Sequence, residues 1–308
     1  MYIDLIASEV QQRKMQLSFK RPGGIEMSLL QENLSIMKKY NIKAKKKYGQ
    51  NFLINEEILD KIIETADINT GDLVIEIGPG LGNLTKRLCA YAGHVLAIEI
   101  DTNMVDILNA EYFDLANLTI LNQDIMKVDL KEVIKDYSDK TVKVVANLPY
   151  YITTPIIMKL LEDEINIDLI EVMIQEEVAL RFCAKPSSKD YGAITLAINY
   201  YTEPSYVISA KAKEFLPSPD VYSAVVKMDI KKEKIAVSDK ELLFKIIKAS
   251  FAMRRKTLLN SLGSAGIMGV GKKELAEILA KLEISENVRA ENLSLEEYVK
   301  ITECYCKN

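Results

Sequence analysis

The chain has 308 residues, 48% of them hydrophobic and 27% charged, with a formal net charge of -4. That length favours two domains with one sizeable core, the composition is that of an ordinary globular protein, and no apolar run reaches the roughly 18 residues that a bilayer-spanning helix needs. The one histidine, His94, leaves no basis for Ser-His-Asp or histidine-metal chemistry.

In chain order, residues 1–35 match no core element and are expected to form an extension, with Met27 an alternative start. Residues 1–18 interleave Asp4, Glu9, Arg13 and Lys14 with apolar side chains, which is unlike a secretory signal. Four scattered cysteines, Cys89, Cys183, Cys304 and Cys306, build neither a disulfide framework nor a zinc site, and fit a reducing cytoplasm. The acidic net charge argues against a nucleic-acid partner, but basic clusters at 38–39, 43–47, 231–234, 254–256 and 272–273 could offset it locally.

From 73 to about 230, short β-branched runs alternate with helical spacing. The runs 74–77, 95–98, 118–121, 142–145 and 170–174 read as buried, largely parallel strands, and 84–90, 104–110 and 156–161 as the helices between them. This predicts an α/β, Rossmann-like doubly wound domain, with 206–209 and 224–230 as antiparallel strands at one end of the sheet. After a charged linker at 231–234, helical spacing over 240–261, 272–282 and 294–304 predicts a small all-helical C-terminal domain. The expected organisation is an extension over 1–35, the α/β domain over 36–232 and the helical domain over 233–308. His94, at the start of a strand, reads as structural.

The first strand runs into Gly78-Pro79-Gly80-Leu81-Gly82 and then a helix. Glycines at a strand-to-helix turn let a ligand approach the backbone amides, although such a turn alone is equally a tight structural turn. Its spacing also differs from the dinucleotide fingerprint, which disfavours a dinucleotide-dependent oxidoreductase. Glu99 closes the next strand, about 20 residues on, where a carboxylate can accept from both hydroxyls of a ribose. Asp124 follows the third strand and can face the amine of an adenine. The fourth strand ends in Asn147-Leu148-Pro149-Tyr150. Here the Asn147 oxygen and a backbone carbonyl, of Leu148 or Pro149, can accept hydrogens from an aromatic amine while Tyr150 stacks on its ring. Two acceptors placed for a pyramidal nitrogen free its lone pair for methyl transfer from a sulfonium, so no strong base is required.

These motifs resemble the ribosomal RNA adenine dimethyltransferase family that acts on the small-subunit (16S) RNA of bacteria, over roughly 36–305. Lys47-Tyr48-Gly49-Gln50-Asn51-Phe52-Leu53 looks like the family's N-terminal cofactor motif, and Phe215-Leu216-Pro217-Ser218-Pro219 like its proline-rich segment beside the target base. The stretch 184–192 resembles its substrate-side loop, and 250–258 and 289–293 are similar to C-terminal segments of the small-subunit branch. The resemblance implies S-adenosyl-L-methionine as cofactor, leaving as S-adenosylhomocysteine, with no metal. Cofactor contacts are then expected from Gln50, Asn51, Leu53, Glu76, Gly78, Gly80, Gly82, Glu99, Ile100, Asp124, Ile125 and Asn147. Target-adenine contacts are expected from Asn147, Leu148, Pro149, Tyr150 and Phe215, and RNA contacts from Lys45, Lys46, Lys47, Arg254, Arg255 and Lys256. The implied activity is dimethylation of two adjacent adenosines near the 3′ end of 16S rRNA by a cytoplasmic monomer, with a role in ribosome biogenesis. The competing readings are a 23S rRNA methyltransferase of the macrolide-resistance type, a mainly non-catalytic small-subunit assembly factor, and a DNA adenine methyltransferase, disfavoured for want of a sequence-reading domain.

Overall fold

The computed structural model describes residues 27–307 except 164 and 254. Most of the expected extension, residues 1–26, lies outside the described residues. The chain divides into two compact units, one of 1–176 with 207–227 and one of 177–206 with 228–308.

In the first unit, helix α1 (Leu29–Lys39) starts where the Ser28 and Gln31 side chains form a reciprocal capping box. Leu29 is buried, and Ile36, Met37 and Tyr40 pack over Phe52, Leu81, Met104 and Ile107. The boundary expected at 35/36 therefore falls inside a packed helix. Strand β1 (Phe52–Leu53) precedes α2 (Glu56–Thr65), which is capped by Asn55.

Five parallel strands follow, β2 (Asp72–Ile77), β3 (His94–Glu99), β4 (Leu118–Asn122), β5 (Thr141–Asn147) and β6 (Leu169–Gln175). Between them lie α3 (Asn83–Tyr91), α4 (Thr102–Glu111), α5 (Leu130–Ile134) and α6 (Thr153–Glu162). Every residue of β2 is buried, as an apolar run covered on both faces requires.

The remaining strands are β7 (Thr202–Ala210), β8 (Phe215–Leu216) and β9 (Ser223–Ile230). The seven-stranded order is β4-β3-β2-β5-β6-β9-β7, so the chain winds outward from β2 to β4 and resumes on the other side at β5. The β2/β5 junction is the switch point, where ligands bind in open α/β sheets. As expected, the late strands lie at one end of the sheet. His94 opens β3, its Nε2 2.9 Å from Thr119 Oγ1 and its ring 5.0 Å from that of Tyr137, which is a structural role.

The second unit contains α7 (Glu176–Phe182) but for its first residue, α8 (Ala193–Tyr201), α9 (Lys240–Phe251), α10 (Leu258–Ser261), α11 (Lys272–Lys281) and α12 (Leu295–Cys306). The boundary expected at 232/233 is not where the contacts divide. Tyr200 and Tyr201 pack their rings on Phe244, Tyr191 donates to the Leu293 carbonyl at 2.9 Å, and Lys231 donates to the Asn199 carbonyl. The helix expected over 240–261 is broken, because Lys256 N–H turns back to the Met253 carbonyl and Thr257 is extended ahead of α10. Among the described residues no helix is long and apolar enough to cross a membrane.

Candidate active site

A cavity of about 250 Å³ opens at the carboxyl ends of β2, β3, β4 and β5. Most of the expected cofactor residues line it: Gln50, Asn51 and Leu53 from the loop around β1, Glu76, Gly78 and Gly80 from β2 and its turn, Glu99 and Ile100 after β3, and Asp124 and Ile125 after β4. Asn147, Leu148, Pro149 and Tyr150 line it from the end of β5.

Gly82 and Phe215 are outside that lining. Gly82, at φ +84°, packs so closely that a Cβ would lie 2.3 Å from Tyr112 Cε2, which requires a glycine ahead of α3. Phe215 is buried in the hydrophobic core with Leu53 and Leu59, through its pairing in β8 with Leu53 of β1. Its backbone partner Leu53 belongs to the segment that lines the cavity.

Gly78, at φ +70°, has open space where a Cβ would stand, and its N–H is bonded to the Ile98 carbonyl. A side chain here would intrude on a ligand. Glu99 is 5% exposed; its Oε1 accepts from Asp101 N–H at 2.8 Å and its Oε2 from Gly80 N–H at 3.3 Å. Burial raises its pKa, and the two amides oppose that shift. Asp124 accepts from Met126 N–H at 3.0 Å, so one oxygen fixes the orientation of its carboxylate. Glu76 lies deeper, 1% exposed, with Oε2 unpartnered among the described residues; burial pushes its carboxyl up to about 8.

The loop carrying Gln50 and Asn51 is tied down at two points. Asp101 accepts from Lys45 Nζ at 2.8 Å and from Gln50 Nε2 at 3.1 Å, while Gln50 Oε1 accepts from Lys45 N–H. Asn147 Nδ2 donates to the Asn51 carbonyl at 2.9 Å. With that nitrogen engaged, Asn147 presents its oxygen as the remaining acceptor. The Pro149 carbonyl already accepts from Ile152 N–H and Thr153 Oγ1. The Tyr150 hydroxyl is 2.5 Å from Ser223 Oγ on β9, which anchors the far end of its ring, and burial raises its pKa.

The expected RNA contacts separate. Lys45 is committed to Asp101, and Lys47 lies over the Tyr48 ring, 4.4 Å from its centroid. The Lys46 side chain and Arg254 lie outside the described residues; Arg255 and Lys256 are exposed after α9. Sequence reasoning missed Tyr48 and Tyr151, which also line the cavity, and the anchoring role of Asp101, N-cap of α4. The doubled tyrosine after Pro149 was the available signal for Tyr151.

The residues present fit S-adenosylmethionine. The cradle at Gly78 leaves room for a ligand, the oriented Glu99 carboxylate suits a ribose diol, and the Asp124 carboxylate suits an adenine amine. Among the described residues no group of histidine, cysteine and acidic side chains is arranged to hold a metal ion.

The family model described as "Ribosomal RNA adenine dimethylase" matches residues 41–307. The chain is 48% identical over 265 residues to a protein of Clostridioides difficile named "Ribosomal RNA small subunit methyltransferase A", covering 85% of this chain and 91% of the relative. A protein of the same name from Alkaliphilus metalliredigens is 45% identical, at 87% and 94% coverage. Among solved structures, a dimethyladenosine transferase from Plasmodium falciparum superposes with a TM-score of 0.71 at 27% identity, covering 83% of this chain and 98% of that one. The fold is shared with the 23S rRNA methyltransferase ErmE, at TM-score 0.64 and 21% identity over 83% of this chain and all of that one. With the family model spanning nearly all of the chain beyond α1, this protein belongs to the ribosomal RNA adenine dimethylases, S-adenosylmethionine-dependent methyltransferases of RNA.

Proposed function

We propose that the protein dimethylates the exocyclic amines of two adjacent adenosines near the 3′ end of 16S rRNA, in the small ribosomal subunit or its precursor, and that it works as a cytoplasmic monomer. The observation that carries the reading is the Asn147 amide, held by its bond to the Asn51 carbonyl so that its oxygen remains available at the cavity. Small-subunit specificity is supported by relatives at 40–48% identity that bear the small-subunit name, whereas likeness to the 23S enzyme is confined to the fold.

Glu99 is assigned to the cofactor ribose, Asp124 to its adenine, and Gly78, Asn51 and Leu53 to its methionine end. Bound S-adenosylmethionine supplies an electrophilic methyl group on a sulfonium, a leaving group good enough that the amine needs no prior deprotonation. Because the Pro149 carbonyl is occupied, the Leu148 carbonyl is the second acceptor beside Asn147 Oδ1. Together they receive both amine hydrogens in the first transfer, and one of them receives the single hydrogen left for the second; they hold the nitrogen pyramidal and direct its lone pair, and after each transfer the methylated nitrogen loses its proton to water. Tyr150, held by Ser223, stacks on the extruded adenine and offsets the few kcal/mol lost on unstacking it. Arg255 and Lys256 are assigned to RNA phosphates.

The test is incubation with tritiated S-adenosylmethionine and 30S subunits lacking these methyl groups, with 50S subunits in parallel, followed by nucleoside analysis. Dimethyladenosine from 30S alone is the expected result. Label in 50S, or only monomethyladenosine at saturation, would overturn the reading.

A further inference from the structure

The two tyrosines after Pro149 face different surroundings. Tyr150 turns toward Ser223, whereas the Tyr151 ring lies against Gly49, where a Cβ would come within 3.4 Å of its Cδ1 and Cε1. Gly49 itself is at φ +61°, a conformation that keeps its backbone close under that ring. Tyr151 is nevertheless 62% exposed, a large aromatic ring backed on one side and open on the other. Tyr48 lines the same cavity, half-buried, with the exposed Lys47 ammonium 4.4 Å from its ring centroid. An open aromatic ring, a second aromatic in the same cavity and an exposed cation at that aromatic are the elements with which proteins hold a single-stranded nucleotide.

Resting on the activity proposed above, we propose that Tyr151, with Tyr48 and Lys47, forms a subsite for the nucleotide adjoining the target adenine. One tyrosine then serves each base: Tyr150 carries the adenine whose amine is at Asn147, and Tyr151 carries its neighbour. In a substrate with two adjacent target adenines, the parked neighbour is the next base to be methylated. Stacking makes the subsite tolerant of base identity, so it positions the strand and leaves selection of the reacting amine to Asn147 and Leu148.

The test compares wild type with Tyr151→Ala, Tyr151→Phe and Tyr151→Trp on 30S subunits lacking the methyl groups. It reads KM for subunits, the share of RNA methylated at only one of the two adenines, and calorimetric affinity for S-adenosylhomocysteine. Tyr151→Ala is expected to raise KM about tenfold and to increase the singly modified share, with S-adenosylhomocysteine affinity within twofold of wild type. Both aromatic variants are expected to match wild type. A KM for Tyr151→Ala within twofold of wild type would overturn the subsite. So would a parallel loss of cofactor affinity, which a ring that merely props Gly49 would produce, or a Tyr151→Phe variant as impaired as Tyr151→Ala. A wild-type protein that labels no 30S subunits would overturn the proposed activity and the subsite with it, whereas a labelled wild type with an unaffected Tyr151→Ala overturns the subsite alone.

Discussion

Replacing Glu99 by Gln conserves side-chain size and removes the charge, so it isolates the hydrogen bonding of the carboxylate. An ionised carboxylate offers about four acceptor sites. Two are used by Asp101 N–H and Gly80 N–H, leaving one on each oxygen for a ribose diol. The amide has one oxygen only, and its NH2 must face either Asp101 N–H or Gly80 N–H, donor against donor. One charge-assisted bond to the ribose is lost and the other is weakened. At about 1.5–3 kcal/mol for a bond to a charged group, the combined cost is about 2–4 kcal/mol, or roughly 30- to 1000-fold in affinity. Calorimetric titration with S-adenosylhomocysteine measures this without turnover, and a circular dichroism melt checks that the fold is retained. A folded Glu99→Gln protein that binds within threefold of wild type would refute the assignment of Glu99 to the ribose.

Glu76 yields a pH prediction. Its folded-state pKa, about 8, lies above the ordinary carboxyl value, so the folded protein holds this proton more tightly than the unfolded chain, and the group's contribution to stability falls as pH rises from about 4.5 to 8. Glu76→Gln is expected to be more stable than wild type at pH 8.5, with the gap closing below about pH 5, by urea unfolding at the two pH values; a pH-independent gap would contradict this. Gly82→Ala forces a Cβ into Tyr112 at a positive φ and is expected to destabilise the fold by about 2 kcal/mol or more, read as a lowered Tm; an unchanged Tm would count against the packing role. Lys45→Ala removes the ion pair with Asp101, leaving the Gln50 bond as the remaining side-chain tie of this loop to Asp101, and is expected to weaken S-adenosylhomocysteine binding several-fold without altering the salt dependence of subunit binding. A salt slope shallower by about one would instead make Lys45 a phosphate contact.

The parallel strands β2, β3, β5 and β6 were legible because strands covered on both faces leave unbroken apolar runs, as in Leu73-Val74-Ile75 and Val144-Val145-Ala146, whereas β4, expected to be buried, is the edge strand of the sheet and none of its residues is buried. The glycine turn, Glu99, Asp124 and the residues from Asn147 to Tyr150 were legible because each follows such a run directly. Strands β1 and β8 were not, since two residues carry no period. Helix α8 was missed because its nearly all-apolar sequence, with Ile194, Thr195 and Ile198, has no polar face to reveal a helical repeat. The anchoring of Lys45 and Gln50 to Asp101 joins residues more than 50 positions apart, which charge clustering along the chain cannot disclose. The burial of Phe215 follows from the β1/β8 pairing and was hidden for the same reason.

That two-residue pairing also ties two parts of the cavity wall together. Phe52 opposes Leu216, Leu53 opposes Phe215, and Ile54 N–H is bonded to the Glu214 carbonyl, so the cavity-lining segment around Asn51 is stitched to the one leading into β9 and Ser223. Opening of this stitch, readable as exchange of the Ile54 amide hydrogen, is therefore expected to disturb the segment around Asn51 and the one leading to the Tyr150 anchor together.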